Sequence, residues 1–129
     1  MAKTWALTET RTAAGGSTPQ GLLWLAQRVS ALLLVFGVAL HLAAIHLLPG
    51  SGSTFREVTA RLSQPGWRLF EAAFLVVVTF HALSGLWTIV EDYVASPAVR
   101  RAVLLLLLAL GAEILFMGLQ TLFSLPAPA

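Results

Sequence analysis

Cysteine is missing from all 129 residues of the chain. Its absence excludes disulfide bridges, cysteine-ligated iron–sulfur clusters and thiolate catalysis, and leaves the compartment open. Charge is scarce too. Asp, Glu, Lys and Arg make up 11% of the residues, against about a quarter in a soluble domain, and they gather at the ends of apolar runs. The net charge of +2 is too small to support nucleic-acid binding. The alternating polarity of membrane barrel strands does not occur. No apolar run has the charged flank, short core and small-residue cleavage site of a secretory signal, and no internal repeat stands out.

What remains is 57% hydrophobic and arranged in continuous runs, which defines an all-α membrane protein. A bilayer crossing takes about 20 apolar residues, and three stretches suffice: 22–48, 69–91 and 102–125. Residues 1–21 are polar and read as a cytoplasmic arm, ordered when a partner holds it. Residues 49–68 form an extracytoplasmic loop. In it, Pro49-Gly50-Ser51-Gly52 ends the first span, and Thr54-Phe55-Arg56-Glu57 has the spacing of a capping box that opens a short surface helix ending near Leu62. Gln64-Pro65-Gly66 then punctuates the chain. Residues 92–101 form a cytoplasmic loop, where Ser96-Pro97 fits an N-cap followed by a first-turn proline. Residues 126–129 are a tail.

Basic residues set the orientation. Lys3, Arg11, Arg28, Arg100 and Arg101 fall on one side, and Arg56, Arg61 and Arg68 on the other. The majority places the N-terminus in the cytoplasm and the C-terminus outside, in the inner or cytoplasmic membrane. Arg28 and Asp92-Tyr93 then share the cytoplasmic face. The small residues Gly37, Ala44, Gly85, Gly111 and Gly118 imply close helix approach. Three helices bury only part of their surface against one another, so a partner subunit is expected.

Polar residues inside apolar spans carry the functional signal. His81 lies deep in the second span. On a helix Gly85, Thr88 and Asp92 fall within about 40° of it, with Ser84 alongside. A neutral imidazole in hydrocarbon needs a metal, a hydrogen-bond partner or a water-filled cavity. Heme iron is the metal most often held by histidine within a helix bundle. Gly85, one turn away, leaves room for a flat ligand; the alternative is a histidine bonded to a neighbouring helix, with Gly85 serving packing alone.

His41 lies about 20 Å inside Arg28, and His81 about 15–17 Å from the cytoplasmic edge. His41 is therefore expected several Å nearer the outer face, too far to share one iron with His81. Either each histidine serves a different heme, completed by a partner's histidine, or His41 is structural. His46, about 140° round from His41, suits an interfacial residue or a propionate partner. Arg28, with Ser30 two positions on, is a snorkelling boundary arginine or a donor to a heme propionate or a quinone carbonyl. Asp92 and Tyr93, an acid and a phenol at the membrane edge, suit a redox-active ligand. Glu113, mid-way along the third span, and Gln120, two turns on, are weaker candidates for a proton route.

Gln27-Arg28-Val29-Ser30-Ala31 opening one helix, and His81-x3-Gly85-x6-Asp92-Tyr93 closing the next, resemble the cytochrome b membrane-anchor subunits of succinate dehydrogenase (succinate:quinone oxidoreductase, complex II). The likeness is greatest to the smaller second anchor and covers 22–125. It implies three helices that form part of a larger heme-binding bundle with a second anchor subunit, docked to an iron–sulfur subunit and a flavoprotein. The flavoprotein oxidises succinate; the anchor alone is not catalytic. The resemblance makes His81 an axial ligand of heme b, Tyr93 with Asp92 a quinone-binding pair, and Arg28 a residue near both. Relatives with two hemes carry histidines about 40 residues apart on successive helices, the spacing of His41 and His81, which favours two hemes. The competing readings are a fumarate reductase anchor, a heme-free structural anchor or assembly factor, and a small transporter subunit using Glu113 and His81 as a relay.

Overall fold

The computed structural model describes residues 19–47, 52 and 54–125. Most of the polar arm, most of the Pro49–Gly52 segment and the tail 126–129 lie outside the described residues. Four helices follow in order: α1 (Pro19–His46), α2 (Phe55–Leu62), α3 (Pro65–Tyr93) and α4 (Pro97–Ser124). Three of them, α1, α3 and α4, are long and apolar enough to cross a membrane.

Helix ends are set by caps rather than by the limits of the apolar runs. Thr54 caps α2 in a full capping box with Glu57. Proline opens α3 and α4, and the Ser96 side chain accepts from the Val99 amide. Asp92 and Tyr93 therefore belong to α3, and Arg100 and Arg101 to α4, so the link narrows to 94–96. Three of the basic residues occupy carbonyls at helix ends, which have no partner within their own helix. Arg61 donates to Ala44 O at the end of α1, Arg68 to Leu62 O of α2, and Arg100 to Glu91 O in the last turn of α3 and Val94 O just past it.

α3 is the common partner of α1, α2 and α4. The burial pattern inverts that of a soluble protein. Among the described residues the buried side chains are small or polar, Ser30, Thr59, Thr79, Ser84 and Ala44 with Leu62, while Leu32, Val35, Phe36, Leu105 and Phe116 stand exposed. Lipid solvates such a surface, and helix contact then depends on small residues that admit a neighbour. A Cβ on Gly37 would lie 2.8 Å from the Phe74 ring; on Gly111, 2.3 Å from Leu83; on Gly118, 2.4 Å from Leu75. These glycines serve packing within this chain.

Candidate heme and quinone site

His81 on α3 meets Ser30 on α1, with Nδ1 3.0 Å from the hydroxyl oxygen. Ser30 is 5% exposed, and its one hydroxyl proton has an acceptor in Gln27 O at 2.9 Å. The hydroxyl therefore accepts from His81, which fixes the proton on Nδ1 and leaves the Nε2 lone pair free. Gln27 buckles the two helices together. Its amide nitrogen donates to His81 O at 3.3 Å, and its oxygen accepts from Ser84. Gly85 makes this possible, since a Cβ there would lie 3.1 Å from the Gln27 amide. The space left by Gly85 is thus filled by Gln27, not left open to a flat ligand. His81 instead lines a shallow groove with Ala31, Leu34, Val35 and Val38.

His41 has a different partner. Its Nδ1 lies 2.9 and 3.0 Å from the two carboxylate oxygens of Glu71 on α3. The histidine side chain is 32% exposed and the glutamate 14%. Phe74 stacks on the imidazole at 5.5 Å and 27°, and Phe70 on Phe74 at 5.9 Å. Gly37 leaves the room that the Phe74 ring occupies.

The pairs Gln27–Ser84, Ser30–His81, Gly37–Phe74 and His41–Glu71 define one antiparallel register, in which each step forward on α1 is matched by a step back on α3. Along either helix the two histidine levels are ten or eleven residues apart, about 15 Å. This is wider than the several Å expected from the sequence. Measuring each histidine from its own helix end assumed that the helices begin level, whereas α3 runs well past Arg28.

The same register separates Arg28 from Tyr93. Arg28 sits two residues from Ser30, its guanidinium 4.7 Å over the Trp24 ring. It lines a groove of about 400 Å³ with Leu23, Trp24, Gln27, Ser84, Thr88 and Glu91. Asp92 and Tyr93 are not on that wall. They lie about 17 Å beyond His81 along α3, and Tyr93 is 84% exposed. The convergence expected at this end is not made within the chain.

His46 is the exposed last residue of α1, where a cation suits the helix C-terminus. Glu113 and Gln120 are exposed. Each follows by two positions a glycine packed on α3, Gly111 or Gly118, which turns both about 160° away from that contact. A groove of about 470 Å³ lies at the α2 end between α3 and α4. Glu71 stands on its otherwise largely apolar wall beside Phe74, Leu75 and Met117. Sequence reasoning passed over Glu71, and gave Gln27 no role of its own. The signal was available, since both are polar residues in or beside an apolar run.

Three apolar spans carrying two imidazoles at different levels, each held at Nδ1, define a multi-span membrane protein with polar groups placed inside the bilayer. The family model for the succinate dehydrogenase/fumarate reductase transmembrane subunit matches residues 9–122, and the chain belongs to that family. It is similar to the succinate dehydrogenase hydrophobic membrane anchor subunit of Archaeoglobus fulgidus, with 32% identity over 109 residues, covering 84% of this chain and 93% of that one. The subunit of the same description from Thermoplasma acidophilum is 34% identical over 77 residues, covering 59% of this chain and 63% of its own length. The chain is thus a membrane anchor subunit, and it associates with the other subunits of its complex.

Proposed function

We propose that this anchor holds heme b through His81 and helps form the quinone site of a succinate:quinone oxidoreductase. One observation carries the reading: Ser30 takes the Nδ1 proton of His81, 3.0 Å away, leaving the Nε2 lone pair free in a bundle wall. A ligating histidine fixed through its second nitrogen is the usual arrangement around protein-bound metals. The donor fits heme: His81 presents a single imidazole, its Nε2 unbonded among the described residues, on an otherwise apolar groove wall. A porphyrin asks this chain for one imidazole. When bound, heme b supplies one-electron transfer at the level of His81. The chain's part is to orient the ring and exclude water with Ala31, Leu34, Val35 and Val38. Gly85 contributes through the close approach of Gln27.

Arg28 has no hydrogen-bond acceptor among the described residues, and its guanidinium is available to a heme propionate or a quinone carbonyl. Tyr93 and Asp92 extend toward the membrane surface, where a phenol donates to a quinone oxygen and an acid passes protons. The second anchor subunit closes this site, next to the iron–sulfur subunit, and the flavoprotein oxidises succinate. His41, about 15 Å from the His81 level and likewise pinned at Nδ1, serves a second heme. On this reading the N-terminus is cytoplasmic. Both relatives are described as succinate dehydrogenase subunits, which favours succinate oxidation over fumarate reduction.

The test is a dithionite-reduced minus oxidised spectrum of the purified complex, with heme and iron quantified per complex. A b-type α-band is expected, and its absence overturns the heme reading. The chain without its partners is expected to oxidise no succinate.

A further inference from the structure

The two histidines sit in unlike electrostatic surroundings. We propose that Glu71 is the positioning residue of His41, and that its carboxylate makes the iron held there harder to reduce than the iron held by His81. The inference rests on the two-heme reading above and deepens it.

Glu71 places both carboxylate oxygens within 3.0 Å of His41 Nδ1. A carboxylate only accepts, so Nδ1 carries the proton and Nε2 is the ligating atom. Phe74, stacked at 5.5 Å, holds the ring plane while Glu71 holds its rotation. An N–H shared with a carboxylate makes the imidazole more electron-rich and a stronger donor to the metal. The same negative charge favours the oxidised, more positive iron. Ser30 gives His81 a neutral hydroxyl instead, with neither effect at comparable strength. No other acidic side chain contacts either ring among the described residues.

The measurement is an equilibrium redox titration of the heme α-band in the assembled complex, with low-spin heme signals followed by electron paramagnetic resonance. Glu71→Gln keeps an acceptor of the same size and removes the charge. It is expected to retain both hemes and raise the midpoint of one, by about tenfold in its reduction equilibrium, or ~59 mV for a one-electron couple. The component that moves is the one lost in His41→Ala. Ser30→Ala is expected to alter the other component and leave this one in place. Two hemes whose midpoints both ignore Glu71→Gln overturn the role of Glu71 and leave the two-heme reading standing. A complex with one heme, indifferent to His41→Ala, overturns both. If Glu71→Gln fails to assemble, Glu71→Asp is titrated in its place. It keeps the charge but shortens the arm, so the resonance signals of the His41 heme are expected to shift, and unchanged signals overturn the positioning role.

Discussion

The two histidine levels are mirror constructions with one part exchanged. At one, the imidazole is on α3 and its partner, Ser30, on α1; at the other, the imidazole is on α1 and its partner, Glu71, on α3. Both free the same ring nitrogen. They differ in the partner's charge and in surroundings: Ser30 is buried and donates to Gln27 O, next to the Gln27–Ser84 bond, while His41 lies beside stacked rings. Histidine in an apolar run is therefore one sequence signal with two physical outcomes, and the neighbouring helix decides between them.

The sharpest break in the comparison comes from removing each ring. His81→Ala is expected to abolish one heme component entirely while α-helical content and membrane insertion stay near wild type. His41→Ala is expected to abolish the other. Heme per complex, by pyridine hemochrome, checks both. If His81→Ala leaves heme content unchanged, the ligand assignment fails.

Tyr93→Phe follows in size and concerns one end only. It removes a phenolic hydroxyl on an exposed side chain that makes no hydrogen bond among the described residues. Quinone reduction is expected to fall by about tenfold or more, the scale of a lost donor at a developing negative charge. Reduction of an artificial acceptor by the soluble subunits is expected to persist, as are both heme bands. Equal loss in the two assays would mean misassembly and would remove Tyr93 from the quinone site.

Gly37 and Gly111 sharpen the contrast at the level of packing. A methyl at Gly37 would strike the Phe74 ring, which is rigid and stacks on His41, so Gly37→Ala is expected to cost about 1–3 kcal/mol. It should perturb the His41 heme in preference to the other. A methyl at Gly111 meets only the tip of Leu83, a flexible end that can rotate aside, and Gly111→Ala is expected to cost less. Thermal denaturation of the complex, with heme spectra, ranks the two.

How much was legible follows from the same physics. The three spans, the Thr54–Glu57 box and the Ser96-Pro97 start are local signals, carried by hydropathy and by residues a few positions apart. The register between α1 and α3 is not local. Both helices are apolar on every side, so no stripe marks the face that packs, and neither the Ser30–His81 pair nor the Glu71 contact could be read from periodicity. Ser30 was singled out for its closeness to Arg28, and its bond to His81 appeared only with the fold. Arg28 and Tyr93 failed to converge for the same reason: hydropathy locates a span to within a turn or two, and two turns are about 11 Å.

The smallest effect expected lies outside the membrane, where Glu57 closes the cap of α2. Its carboxyl is held below the ordinary value of 4.5, first by the Thr54 hydroxyl, then by the Thr54 backbone amide, with Arg61 adding a little and burial opposing. A depressed carboxyl in the folded chain stabilises it fully above 4.5 and loses that contribution as pH falls through the lower folded value. Amide protection over 55–62, measured against the intrinsic exchange rate at each pH, is therefore expected to fall below pH 4.5. Thr54→Ala should bring Glu57 back toward its ordinary value, weaken the α2 start at all pH values and flatten the acid dependence. Arg61 ties α2 to the end of α1 through Ala44 O, three residues past His41 on the same helix and fourteen past Ser30. Any echo of Thr54→Ala in the heme spectra should therefore appear at the His41 component first. A change confined to the His81 component would contradict the separation of the two levels on which the comparison stands.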